Sequence, residues 1–284
     1  MNFEVVDKKI QIDERRKATI KLINDHFENG KYYGIPKAQL IIADLPYNIG
    51  NNAYASNPSW YQGGGDNKNG ESNLAGKSFF DTDDDFKINN FFDFCTRYLR
   101  DEPKEKLTER GKSSDAPAMI VFCSFEQIPM VIEQGKKHGL KNSYPLIFVK
   151  NYSAQVLKAN MKIVGATEYA VVLYRNKLPK FRNIDENGKN HMIFNWFEWR
   201  RDNSKEYPKI HPTQKPVNLL KKLIEIFTDE GDVVIDPVAG SSSTLRACME
   251  LKRSCYGFEI KKDFCKLAKE KMLIDVNEQT NFNI

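Results

Sequence analysis

Two short strings carry side chains able to do chemistry, and nearly two hundred residues separate them. The first, Asp44-Leu45-Pro46-Tyr47, follows the apolar run Leu40 to Ala43, so an acid, a proline and an aromatic ring stand at the carboxyl end of a buried strand. Open α/β sheets hold their ligands at that end. Asp44 and the Leu45 carbonyl are two acceptors for one amino group. The exocyclic amino nitrogen of adenine or cytosine is a poor nucleophile, because its lone pair is delocalised into the ring. Two acceptors aimed at its N–H groups would draw it toward a tetrahedral nitrogen able to take a methyl group. Tyr47 would stack on the base and Pro46 would hold the backbone. The plainer reading is a strand-ending turn with a core tyrosine.

The second string runs Val233-Val234-Ile235-Asp236-Pro237-Val238-Ala239-Gly240-Ser241-Ser242-Ser243-Thr244. It is a strand ending in an acid, a turn through Gly240, and a helix opened by hydroxyl residues. Free N–H groups at such a helix start favour a carboxylate or phosphate. The next strand ends in Glu259, an acid placed to accept from two ribose hydroxyls. Each feature alone also reads as a relaxed turn or a helix cap; the spacing favours an adenosine cofactor such as S-adenosylmethionine, whose methionine end carries a carboxylate. The GxGxxG dinucleotide fingerprint is absent, which counts against NAD or FAD. Just upstream, His211-Pro212-Thr213-Gln214-Lys215-Pro216 would close one side of the cofactor pocket, or simply end one element and start the next with Pro216.

The elements needed to position these strings follow from periodicity. A short strand is expected at Lys9 to Ile12, an amphipathic helix at Glu14 to Phe27, and strands at Gln39 to Ala43, Met119 to Cys123, Pro145 to Lys150 and Glu168 to Tyr174. Helices are expected at Phe91 to Leu99 and Glu126 to His138. Toward the C-terminus the order is helix Val217 to Phe227, strand Val233 to Asp236, helix Ser243 to Leu251, strand Cys255 to Glu259 and helix Lys261 to Leu273. Such alternation implies a doubly wound α/β fold with a mostly parallel sheet covered on both faces. Residues 48–85, rich in Asn, Gly, Ser and Asp, read as a mobile loop or lid that carries Trp60 and Tyr61 and closes over a flipped-out base.

A chain of 284 residues suits one catalytic domain. Its net charge of +5 permits a nucleic-acid partner without requiring one. Five cysteines without CxxC spacing indicate neither zinc nor a disulfide framework, so no metal is expected. No apolar run approaches the roughly 18 residues needed to span a bilayer, and MNFEVVDKK has charge where a signal peptide needs an apolar core. A cytoplasmic protein without a membrane partner is the expectation.

With these strings in hand, the chain resembles the beta-class amino-group DNA methyltransferases. Asp44-Leu45-Pro46-Tyr47 stands for the family's DPPY, His211 to Pro216 for its HPxQKP, and Asp236 to Thr244 for its DPFxGSGTT, in the family's circularly permuted order. The resemblance implies a seven-stranded methyltransferase sheet, S-adenosylmethionine as cofactor and DNA as substrate. It makes Asp44, Leu45, Pro46 and Tyr47 catalytic, and assigns Asp236, Pro237, Gly240, Ser241, Ser242, Glu259 and Lys215 to the cofactor site. A homodimer and a cognate restriction enzyme are compatible with it. Phe148-Val149-Lys150-Asn151 loosely echoes the family's aromatic-x-Lys-x-Asn strand, and Glu168 to Leu173 its Glu-bearing strand. Three positions depart from the pattern: Leu45 for proline, Val238 for phenylalanine, and Ser242 for the second glycine of the cofactor turn.

The family reads its target sequence with a variable insert, here about 176–209. Trp196, Trp199, Arg200 and Arg201 within it, together with Lys150, Trp60 and Tyr61, are the expected nucleic-acid contacts, unless the tryptophans belong to a small core. Asp44 favours adenine N6 as the target, since enzymes of this type acting on cytosine N4 more often carry Ser there. A protein glutamine methyltransferase shares a similar tetrapeptide, but begins it with Asn and places the cofactor motif first. A DNA-binding protein with a degenerate methyltransferase fold is the competing reading from another class, motivated by Leu45 and Ser242.

Overall fold

The computed structural model describes residues 4–46, 86–104, 115–151, 155–156, 164–211 and 213–274. Tyr47 and the expected lid at 48–85, with Trp60 and Tyr61, lie outside the described residues, as does Pro212. In chain order the elements are β1 (Glu4–Gln11), β2 (Lys17–Ile23), β3 (Leu40–Asp44), α1 (Ile88–Tyr98), β4 (Ala118–Cys123), α2 (Ile128–Lys137), β5 (Asn142–Lys150), the short pair β6 (Gln155–Val156) and β7 (Val164–Gly165), β8 (Thr167–Tyr174), β9 (Trp196–Trp199), α3 (Val217–Phe227), β10 (Val233–Asp236), α4 (Ser243–Glu250), β11 (Ser254–Phe258) and α5 (Lys262–Leu267).

Nine of these strands form one sheet in the order β1-β2-β11-β10-β3-β4-β8-β5-β9. β2, β11, β10, β3 and β4 run parallel to one another, while β8 is antiparallel to both its neighbours. The seven strands from β2 to β5 are the expected methyltransferase sheet. β1, antiparallel to β2, and β9, parallel to β5, extend its two edges.

Alternating side chains divide the core. Ala118, Ile120 and Phe122 of β4 join Leu40 and Ile42 of β3 on the face covered by α3, α4 and Cys265 of α5. Met119, Val121 and Cys123 join Ile41 and Ala43 on the face covered by α1 and α2. This period of two, buried on both sides, is why the central strands read as unbroken apolar runs. Gly257 permits one close approach: a Cβ there would sit 2.5 Å from Cδ1 of Leu245 and 3.2 Å from Cβ of Ala239, so α4 packs tightly on β11.

The N-terminal expectation is corrected. Glu14 to Phe27 is not a helix: Lys17–Ile23 is β2, with Ala18, Ile20 and Leu22 buried in alternation. Pairing on both sides, to β1 and β11, overrides the helical spacing that Ile20, Ile23 and Phe27 also satisfy. The insert at 176–209 also proves less separate than its composition implies. Its strand β9 pairs Trp196 to Ile147 and Trp199 to Lys150. Lys180 donates to Asp229 and Asp232, both at 2.7 Å, and pins the insert's start to the connection between α3 and β10.

Candidate active site and cofactor wall

β3 and β10 are neighbours, paired Val234 to Leu40 and Ile235 to Ile41. From β10 the chain crosses through α4 to β11 on one side, and from β3 it crosses through α1 to β4 on the other. Their boundary is therefore the switch point of the sheet, where a crevice opens beyond the carboxyl ends of the strands. Asp44 ends β3, Asp236 ends β10 and Glu259 follows β11, so three acids stand side by side at that crevice.

On the first wall, the turn after β3 is fixed at each residue. The Leu45 N–H donates to the Phe122 carbonyl at 3.1 Å, and its side chain is buried in the core. Proline could not make that bond, so Leu45 compensates through its own N–H for the ring it replaces. The Pro46 carbonyl accepts from the Gln127 side-chain amide at 2.9 Å. Gln127 also accepts from the Ser124 N–H at 3.0 Å, which fixes its side chain just before α2. Nothing local in the sequence marks Gln127 as a partner of Pro46, 81 positions away.

Asp44 accepts from the Lys215 ammonium at 2.6 Å. Lys215 also lies 3.3 Å from Glu168, whose other carboxylate oxygen accepts from Lys150. Burial pushes the Glu168 carboxyl up, but Lys215 and Lys150 outweigh it and hold it below its ordinary value. Trp199, only 4% exposed, packs beneath these ammonium groups: Lys150 lies 5.0 Å and Lys215 5.6 Å from its ring centre. Two of the expected nucleic-acid contacts are thereby placed in this cluster. Trp199 packs in the core, and Lys150 pairs with Glu168.

On the second wall, the Ala239 N–H donates to the Phe258 carbonyl at 2.8 Å and sets the turn. Gly240 has φ +48°. Its N–H donates to one oxygen of Glu259 at 2.8 Å, and the Lys261 N–H donates to the other at 2.7 Å. Each carboxylate oxygen has a second lone pair for a ribose hydroxyl. The Ser241 and Ser243 hydroxyls lie 2.9 Å apart. Pro237 is buried between strand and turn.

The buried Asp236 carboxyl is pushed up to about 7, by burial above all and by the charges of Asp44 and Glu259, against hydrogen bonds from Thr244 and the Val238 N–H. The folded protein therefore prefers the neutral acid. The stability this contributes is complete below the unfolded value of 3.8 and is lost as pH rises through about 7. Asp236→Asn keeps an acceptor for Val238 and cannot ionise. It should raise the melting temperature at about pH 8 and change it little at about pH 4, as read by thermal unfolding at the two pH values.

Ser242 shows what its departure from glycine costs. It has φ +61° in the left-handed region, is fully buried, and its hydroxyl has no hydrogen-bond partner among the described residues. Ser242→Gly removes both penalties and adds unfolded-chain entropy. A net gain of about 1 kcal/mol is expected, measurable by denaturant unfolding.

The segment after the insert joins the two walls. A Cβ on Gly240 would lie 3.9 Å from the His211 ring, while Lys215, four residues on, reaches Asp44. Burial, then Lys215, Lys261 and Lys209, pull His211 down to about 4, so it is neutral near pH 7 and its Nδ1 accepts from the Thr213 N–H at 3.3 Å. The remaining expected contacts lie outward on the insert. Trp196 is 52% and Phe194 76% exposed, their rings stacked at 6.4 Å; Arg200 pairs with Glu198, and Arg201 is exposed.

An open α/β sheet with its switch-point crevice walled by an acid-bearing turn and a glycine turn is the arrangement in which such sheets hold ligands. Comparison with known proteins narrows this. The sequence model of the N6/N4 DNA methylase family, described as DNA methylase, matches residues 38–270, and the chain belongs to that family. It is 26% identical over 247 residues to the DNA adenine methyltransferase YhdJ of Escherichia coli (strain K12), covering 82% of this chain and 75% of that one. Over 69 residues it is 41% identical to the type II methyltransferase M.HpaI of Haemophilus parainfluenzae, 24% of this chain and 22% of that enzyme's length. Among solved structures, the M1.HpyAVI–SAM complex superimposes with TM-score 0.59 at 20% identity, covering 89% of this chain and 98% of that one. The cytosine-N4-specific PvuII DNA methyltransferase gives 0.59 at 13% identity, covering 92% and 90%. These likenesses support the doubly wound fold. No described helix is long and apolar enough to cross a membrane.

Proposed function

We propose that this chain is a single catalytic domain that transfers a methyl group from S-adenosylmethionine to the N6 amino group of adenine in DNA. The observation that carries the reading is the meeting of Asp44 and the Gly240–Glu259 turn at neighbouring strand ends, with His211 beside Gly240 and Lys215 bonded to Asp44. When bound, S-adenosylmethionine supplies an electrophilic methyl group. The residues suit it: Glu259 has acceptor capacity that would hold the ribose hydroxyls, and the N–H groups of the turn from Gly240 into α4 would hold the methionine carboxylate.

Asp44 and the Leu45 carbonyl accept from the two amino hydrogens and turn the nitrogen lone pair outward. The Phe122 and Gln127 contacts hold that turn, so the acceptors need not reorganise during reaction. Asp44 also stands where it can take the proton that the amino nitrogen sheds. Tyr47, next in the chain, supplies the stacking face. A base must leave the duplex to reach such a crevice. Phe194, Trp196, Arg200 and Arg201 on the insert suit stacking and phosphate contact outside it.

Adenine is favoured by the acid at position 44 and by the long match to an adenine methyltransferase. Cytosine N4 is the second reading, supported by the fold of the PvuII enzyme. Methyl-tritiated S-adenosylmethionine, DNA and this protein should yield labelled N6-methyladenine after digestion to nucleosides. Label in N4-methylcytosine would transfer the assignment to cytosine. Absence of label, with no heat of cofactor binding on titration, would leave a DNA-binding protein on a degenerate fold.

A further inference from the structure

The resemblance places Lys215 at the cofactor site, and in the structure its ammonium bonds to Asp44. We infer that Lys215 holds the place of the target amino group on Asp44 while no base is bound, and passes to Glu168 when a base enters. The inference rests on the methyltransferase reading above and adds two positioning residues to it.

The hand-off follows from geometry. Asp44 must accept an N–H from the base, yet its Oδ2 already accepts from Lys215 Nζ at 2.6 Å. A protonated amine and an amino group tilted toward tetrahedral geometry offer similar N–H donors, so the lysine takes one of the acceptor positions on Oδ2 and competes there with an incoming amino group. Its side chain is 8% exposed, and Pro216 at the start of α3 restrains its backbone, so escape into water is obstructed. A second acceptor is at hand: Glu168 lies 3.3 Å from the same Nζ, and a shift of about 0.5 Å makes that contact a short charge-assisted bond.

Three features equip Glu168 to receive the cation. Lys150 anchors its other oxygen. Its lowered pKa keeps it ionised at neutral pH. The Phe122 ring, 5.3 Å from Nζ, and the Trp199 ring, 5.6 Å away, accompany the ammonium on its far side. Two carboxylates and two ammonium groups make the cluster neutral before and after the move. A neutral base can therefore enter without changing its net charge, and the buried cation is never left unpaired.

Opposed effects on the Michaelis constant for DNA test this. Glu168→Gln removes the receiving charge and leaves Lys215 on Asp44, so KM for DNA should rise about tenfold while cofactor affinity stays within about twofold. Glu168→Asp, which retracts the carboxylate, should raise KM in the same direction if Glu168→Gln folds poorly. Lys215→Met clears the acceptor, so in its background Glu168→Gln should change KM for DNA by less than about twofold. The double variant Glu168→Gln/Lys215→Met should recover most of the KM lost by Glu168→Gln alone. Merely additive losses in the double variant would overturn the hand-off. So would a loss of cofactor affinity beyond about tenfold in Lys215→Met, which would return the lysine to the cofactor wall. Failure of the wild type to transfer methyl groups would overturn the parent reading and this one together.

Discussion

Asp44→Ala should reduce methyl transfer to DNA by about two to three orders of magnitude, the usual effect of losing one preorganised transition-state partner. Cofactor affinity should be almost unchanged. The carboxylate ends β3 on the base wall, whereas Gly240 and Glu259 belong to the other wall. The fold should also survive. Lys215 retains Glu168 at 3.3 Å and the two aromatic rings, so no buried ammonium is orphaned. The Phe122 contact to Leu45 and the Gln127 contact to Pro46 do not use the Asp44 side chain. Single-turnover transfer beside calorimetric titration separates the two quantities. A comparable loss in both would mean that the acid supports the cofactor rather than the base.

The second large effect is expected at Glu259, in binding. Glu259→Ala removes the acceptor of the Gly240 and Lys261 N–H groups as well as the partner proposed for the ribose hydroxyls. Cofactor affinity should fall by about ten- to a hundredfold, since hydrogen bonds to a charged group contribute about 1.5–3 kcal/mol. Glu259→Gln, which keeps one acceptor, should lose less. Burial raises the Glu259 pKa, against hydrogen bonds from Lys261 and Gly240. Acid therefore protonates it sooner than an ordinary glutamate, and cofactor affinity should begin to weaken at a correspondingly higher pH as acidity increases. An affinity independent of both the substitution and pH would place the ribose elsewhere.

Much of this architecture was legible because its signals are local. α3 and β10 have the ends expected from periodicity, since amphipathic spacing and a four-residue apolar run survive packing unchanged. The strings at positions 44, 211 and 236 likewise mark strand ends and turns through residue types that suit few other places. The apolar residues of β2 satisfy two periods at once, and only its neighbours β1 and β11 decide between them. β9 was missed because a four-residue edge strand with Trp199 alone buried has no repeat to recognise.

The least legible feature is the contact at the centre of the site. Lys215 and Asp44 are 171 positions apart, and an ion pair leaves no local pattern at either end. Its other members are similarly dispersed, Lys150 at the end of β5 and Glu168 near the start of β8. The departure at Ser242 was visible in the sequence, but its left-handed backbone and buried hydroxyl required the fold.

The central claim is that the methyl donor and the Asp44 turn face each other across the β3–β10 boundary. Ultraviolet irradiation of the protein with methyl-tritiated S-adenosylmethionine, followed by peptide mapping, tests that proximity without knowledge of the DNA target. Label is predicted in the peptide containing Asp44 to Pro46. Label confined to peptides from α1 or α2, with the 44–46 peptide unmarked, would contradict it.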